Sequence, residues 1–310
     1  MIQFIARRLG AMALTLFAVS ALVFLTLEIS PGSVATKVLG PYANEEQRRL
    51  WLEAHGYFRP LLERYASWLG NALMGDFGQS IRFRVPVSDI LWPRLWNTAI
   101  LAFWTMAALI PLSLALGTLA GMRVGSWLDR AISLFSIITT SMPAFASATL
   151  LAAIFVFALQ WLPGTAAMSD GFDARQIILP VAVLVIYDLG YVTRMTRASV
   201  AEVMTKPYVR TALLKGLPFH RVVVRHALRN ALIAPLTVLL LHVNWLLSGV
   251  IVVEFFFAYK GFGALLLEAS LNQDIFLIEA CALVAVTVAV VTQTASDIGY
   301  LLLDPRIRVR

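Results

Sequence analysis

The chain has 310 residues, 59% hydrophobic and only 14% charged, with a mean hydropathy of +0.78. Soluble domains carry about 25% charged side chains, so this composition excludes a water-soluble domain, a disordered tail and a disulfide-stapled secreted scaffold. A net charge of +7 would suggest nucleic acid in a soluble protein, but in a membrane protein the location of the charges decides.

A bilayer core needs roughly 20 apolar residues as helix, and backbone groups in lipid must be paired internally, which makes such runs helices. Six runs qualify in chain order. Leu9–Leu27 has no ionisable group and follows Arg7 and Arg8. What comes after it, Glu28-Ile29-Ser30-Pro31-Gly32, is no small-residue cleavage site, so it reads as a retained helix. The 30–94 segment contains Trp51, Tyr57, Phe58, Tyr65 and Trp68, with helical spacing over 45–52 and 59–73 and a turn at Gly75-Asp76-Phe77-Gly78. It reads as a small structured element outside the membrane. The second run, Leu95–Met122, is free of charge, as is Ala131–Ser169, long enough for one helix and an apolar loop. Gln176–Thr193 is interrupted only by Asp188. Asn230–Val253 has no Asp, Glu, Lys or Arg, and Ala280–Leu303 has only Asp297. Cys281, the single cysteine, reads as a core thiol.

Orientation follows from the basic residues. The 194–229 loop has eight Lys/Arg against one acid, Glu202, whereas 160–176 has only Arg175 and 258–276 only Lys260. Both termini, 123–130 and 194–229 are therefore expected in the cytoplasm. The resulting organisation is an N-terminal helix over 1–29, an outer segment over 30–94, a five-helix membrane domain over 95–303 and a cytoplasmic tail over 304–310.

Catalytic motifs are missing. None of the four lysines follows a glycine as in a P-loop, no Gly-x-Ser-x-Gly or His-Glu-x-x-His pattern occurs, and the four histidines lie at no metal-ligand spacing. Gly261-Phe262-Gly263 lacks the third glycine of a dinucleotide fingerprint and reads as a loop turn. Ionisable or polar groups at membrane depth are candidates for the pathway or for gating: Asp188, His242, Asn244, Glu254 and Asp297.

The 194–229 loop is the most informative stretch. Pro207 interrupts a helix leaving the membrane, a short helix over 208–214 follows, and Lys215-Gly216-Leu217-Pro218 ends it. Arg221, Arg225 and Arg229 then stand four apart at the start of a helix re-entering the membrane. Basic charge alone suits anionic headgroups, but Tyr208, Val209, Ala212 and Leu213 among Arg210, Thr211 and Lys215 form a short amphipathic helix suited to a groove on a soluble partner.

These residues carry a resemblance. Tyr208-Val209-Arg210-Thr211-Ala212, Lys215-Gly216-Leu217, Arg225-His226-Ala227-Leu228-Arg229-Asn230-Ala231-Leu232 and Pro235 resemble the permease subunits of dipeptide, oligopeptide and nickel ABC importers. Gly216 matches the glycine of the EAA motif. Further matches are Arg7-Arg8-Leu9, Gly75-Asp76-Phe77-Gly78 with Ser80, Pro86-Val87, Asn97-Thr98, Gly249 with Glu254, Phe257, Gly261 and Gly263, and Asp304-Pro305-Arg306-Ile307-Arg308. Departures are Arg210 at the EAA glutamate position, Pro207 before the motif, Lys260 where proline is frequent and Ser33 where an acid is frequent.

The resemblance implies an all-α integral membrane protein of six transmembrane helices with the type I importer permease fold, in the bacterial inner membrane. It implies a non-catalytic subunit for short peptides or a related small solute. Its partners would be a second permease, two cytoplasmic ATPases that bind ATP and Mg, and an extracytoplasmic binding protein docking on 30–94 and 258–276. No cofactor would belong to this chain. Coupling to the ATPase would fall on Tyr208, Val209, Arg210, Thr211, Ala212, Lys215 and Gly216. The alternative is a stand-alone carrier or channel with Asp188, Glu254 and Asp297 as a proton relay, disfavoured by the lack of a repeat and of a Gly/Pro-broken helix pair.

Overall fold

The computed structural model describes residues 2–28, 31–40, 42–168 and 171–303. The tail block Asp304–Arg308 lies outside the described residues. Among those described, all regular structure is helical apart from one isolated antiparallel bridge, Gln79 with Pro86. The chain divides into two compact units, residues 1–98 with 260–294, and 99–259 with 295–310.

The first unit begins with α1 (Ile2–Glu28) and α2 (Pro31–Leu39), followed by α3 (Glu45–Ala54) and α4 (Leu61–Leu73). Helix α3 starts where Asn44 and Gln47 form a reciprocal capping box. Helix α4 starts at Leu61, two residues later than its spacing predicts, because Pro60 takes the extended N-cap conformation. Tyr65 of α4 hydrogen-bonds Ser20 of α1 at 2.7 Å, and Phe24 packs edge-on against its ring. The predicted 75–78 turn has Gly75 and Gly78 at φ +84° and +79°, with Gly78 N–H donating to the Asp76 carboxylate.

Helix α5 (Val87–Gly121) begins eight residues before the apolar run that announces it. Its first turns carry Asp89 and Arg94, which the hydropathy criterion rejects, yet Val87 and Leu91 are fully buried. They pack with Phe262 and Leu265 of α14 (Phe262–Leu271) and with Leu277 and Cys281 of α15 (Ile275–Leu303). Helix α14 corrects the loop reading at Gly261–Gly263. Gly261 is an extended N-cap, Phe262 N–H donates to Thr98 Oγ1 at 2.8 Å, and Phe262, Leu265 and Ala269 bury one helical face. Asp274 caps α15 and accepts from the Ser80 hydroxyl and the Arg82 N–H.

The second unit contains α6 (Trp127–Ser141), α7 (Ala144–Ala152, running into a π-helical turn over Ala153–Ala158), α8 (Ala174–Met204), α9 (Pro207–Leu214), α10 (Phe219–Val222), α11 (Leu228–Ala231), α12 (Ile233–Gly249) and α13 (Ile251–Phe256). A second π turn, Val223–Ala227, joins α10 to α11. The single helix expected in 131–169 is two, bent by 102° at Met142-Pro143. Pro143 forces Met142 out of the helical region (φ −85°, ψ 123°). The helical segments 219–231 and 233–243 are likewise bent by 52°. Among the described residues, four helices are thus long and apolar enough to cross a membrane singly, and up to six spans result if each bent pair is one.

Helices α6 and α8 meet backbone to backbone. A Cβ on Gly190 would fall 2.1 Å from the Ser136 carbonyl oxygen, so no side chain is tolerated there without separating the two. The Leu109, Val185, Leu189, Val192 and Leu239 cluster joins α5, α8 and α12.

Candidate functional site: the loop helix and the polar groups of the spans

Helix α8 continues to Met204, and Pro207 starts α9 at its first position, where the missing N–H costs nothing and the fixed φ is already helical. At the other end Lys215 is the C-cap and Gly216 adopts φ +78°. Gly216 N–H donates to Leu213 O at 3.0 Å and Leu217 N–H to Ala212 O at 3.4 Å, the paired bonds of a Schellman stop.

Burial divides the predicted coupling residues into two sets. Val209 and Ala212 are buried against Val200, Val203, Val222, Ala227 and Ala231 of the chain itself. They therefore anchor α9, and the apolar outward face expected to include them is corrected. Tyr208, Arg210, Thr211, Leu213, Leu214, Lys215 and Gly216 are exposed, Leu214 at 80%. Tyr208 Oη accepts from Asn230 Nδ2 at 3.1 Å. The Ser199 hydroxyl donates to Ala231 O at 2.6 Å, tying α8 to α11. Arg221, Arg225 and Arg229 are all exposed.

A charged pair that spacing did not bring out sits beside this loop. Asp129 on α6 is 3% exposed and accepts both Nε and Nη2 of Arg197 on α8, the latter at 2.8 Å. It also accepts from Gly125 N–H at 2.8 Å, while Ser126 caps α6 through Asp129 N–H. The Ser126-x-x-Asp129 spacing is a helix-start signal, and it was legible; the partner, 68 residues away, was not.

The candidates at membrane depth separate. Asp188 and His242 come together, Oδ1 to Nε2 at 3.2 Å. Glu254 is fully buried in α13 and Asp297 is half-buried in α15. The Asn244 side chain lies outside the described residues.

The first unit holds a half-open cavity of about 390 Å³ lined by residues of α3, α4 and α15. Glu279, just before the last apolar run and so passed over in sequence, is buried there and accepts from the Trp68 indole. The Arg64 guanidinium lies 4.5 Å over the Tyr57 ring. Burial, with Glu279 nearby, pushes the Tyr57 hydroxyl up to about 12, so it remains a neutral donor.

The fold is that of a helical membrane protein that presents a capped basic helix on one loop. Residues 113–309 match the family described as binding-protein-dependent transport system inner membrane component. The chain is similar to the oligopeptide transport system permease protein AppB of Bacillus subtilis, 32% identical over 99% of both chains. It is similar to the glutathione transport system permease protein GsiC of Escherichia coli, 34% identical over the full length of both. A probable peptide ABC transporter permease of Sinorhizobium fredii is 32% identical over 98% of this chain and 99% of its own.

The chain belongs to the binding-protein-dependent transport family. It is a multi-pass, non-catalytic permease subunit of an ATP-driven importer, working with ATPase, permease and binding-protein partners. This decides against the stand-alone carrier.

Proposed function

We propose that the cargo is a short peptide or a related small solute, that this chain forms half of the pathway with a second permease, and that α9 passes the ATPase stroke to α8 and α12. The observation that carries the coupling role is the two-sidedness of α9, whose Val209 and Ala212 are held by the chain itself while Leu213, Leu214 and Lys215 face outward at a fixed angle. Two ATPase subunits bind ATP and Mg in the cytoplasm, and the extracytoplasmic binding protein docks on 30–94 and 258–276. The relatives named for oligopeptide and glutathione transport support the cargo class.

Both termini lie in the cytoplasm with 123–130 and 194–229. The bidentate Arg197–Asp129 contact, which joins α6 near the first of these loops to α8 near the second, supports their shared side. Labelling tests the arrangement. A cysteine at the exposed Ser67 reacts with an impermeant thiol reagent from outside, and one at Thr205 only after permeabilisation. The opposite pattern inverts the topology and removes α9 from the ATPases.

The docking face is tested separately. Leu214→Asp, which puts a charge on the most exposed apolar position of α9, abolishes ATPase co-purification while membrane levels stay normal. Retained association shows that α9 is not the contact.

A further inference from the structure

The contacts of His242 fix a proton count. Its Nδ1 lies 3.0 Å from Val238 O and its Nε2 3.2 Å from Asp188 Oδ1. A carbonyl only accepts, and so does an ionised carboxylate, while a neutral imidazole carries one N–H. That one N–H can serve Val238 O or Asp188 Oδ1 but not both, so both ring contacts are bonding only if the pair holds one further proton, on the imidazole or, with the N–H on Nδ1, on the carboxyl. Without it two lone pairs face each other, and Asp188, 4% exposed and with Oδ2 lacking a hydrogen-bond partner, keeps an uncompensated charge.

We propose that Asp188 and His242 together bind one proton at membrane depth, and that this proton latches α8 to α12. The two helices border the loop that carries α9. Helix α8 runs into α9 through Thr205 and Lys206, and α12 follows the helical segment 219–231. The interface is reinforced by two ring stacks, Tyr191 on His242 at 5.9 Å and Tyr187 on Trp245 at 5.4 Å. Loss of the proton separates the helices on either side of the loop without touching the loop itself.

The surroundings contribute few competing titrations. Helix α5 brings Leu109, α6 brings Ser136, Thr139 and Thr140 against Gly190, and α7 has no titratable residue. Helix α8 adds Tyr187 and Tyr191, whose rings stack on Trp245 and His242. The carboxyl groups on neighbouring elements include Asp129 of α6, held in its bidentate contact with Arg197, Glu254 of α13 and Asp297 of α15, whose neighbour Ser296 donates to Leu240 O of α12. Variants at the pair separate its proton from theirs.

The effect on transport rests on the coupling reading above, whereas the proton site itself does not, so it is measured first on the full-length chain in lipid nanodiscs. Between about pH 6 and about pH 9 the wild-type unfolding midpoint falls by roughly 2–4 °C as the shared proton is lost. In Asp188→Asn the amide N–H donates to a neutral His242 and needs no titrating proton, so the fall disappears. His242→Gln, whose amide donates to Asp188, gives a second flat profile if the first variant does not accumulate. Equal slopes in the wild type and the variant measured overturn the proposal and make the contact an ordinary packing hydrogen bond. In the assembled importer, a pH dependence of uptake that Asp188→Asn flattens ties the latch to transport. Flat melting profiles in the variants, with a pH dependence of uptake that Asp188→Asn leaves unchanged, keep the proton site standing and sink its coupling to transport instead.

Discussion

Gly216→Val abolishes ATP-driven uptake while the permease still reaches the membrane at normal levels. The reason is conformational. A Cβ at position 216 meets nothing within 4 Å, but the residue sits at φ +78°, a region that a β-branched side chain reaches at a cost of about 1–2 kcal/mol. That is enough to shift the populated loop geometry by a factor of roughly 5–30. The strain falls on the two bonds from Gly216 and Leu217 that close α9. Val209 and Ala212 stay in their pocket, so the chain keeps its fold and only the exposed end, Leu213 to Lys215, is re-aimed. Gly216→Asn is the control, because asparagine tolerates the left-handed region, and it retains most of the uptake. Arg221→Gln, on the exposed basic stripe, reduces uptake only mildly. Normal uptake by Gly216→Val, measured with the wild-type ATPase and binding protein, shows that the helix stop carries no coupling.

Much of this architecture is readable from residue order because its determinants are local. The proline and glycine that bound α9 act within one turn of themselves, and the Asn44–Gln47 box fixes the start of α3. What sequence hides is set by packing. Hydropathy begins α5 at Leu95 because Asp89 and Arg94 interrupt the apolar pattern, although Val87 and Leu91 are among the most buried residues of their unit. Amphipathicity gives α9 an apolar side but not the owner of that side, and Val209 and Ala212 turn out to be held by the chain itself. For the same reason a charge at Ala212 tests packing rather than docking. Asp188, His242, Asp129 and Arg197 are visible one at a time, while their pairings join elements 54 and 68 residues apart and depend on which helix faces meet. At Pro143 the local signal is itself two-valued, since proline in an apolar run is compatible with a kinked helix as well as with a broken one.

Arg197→Ala lowers the stability of the chain more than any change on the exposed basic stripe. Asp129 is 3% exposed and receives four hydrogen bonds, two of them from Arg197. Removing the guanidinium strands a buried carboxylate, and breaking such a pair costs about 3–5 kcal/mol. The Arg197 side chain retains 30% exposure, so water partly screens the pair and the lower end, about 3 kcal/mol, is expected. Gly125 N–H and the positive end of α6 still stabilise the carboxylate, which keeps the variant from failing outright. The double variant Asp129→Ala/Arg197→Ala removes both charges and recovers part of the loss, since no buried charge remains. The thermal midpoint of detergent-solubilised permease reads this directly: Arg197→Ala falls well below wild type, and the double variant lies between them. A double variant as unstable as the sum of the two single changes shows that the two residues act independently. In that case α6 is held to α8 by the glycine contact of Gly190 with Ser136, Thr139 and Thr140 rather than by the ion pair.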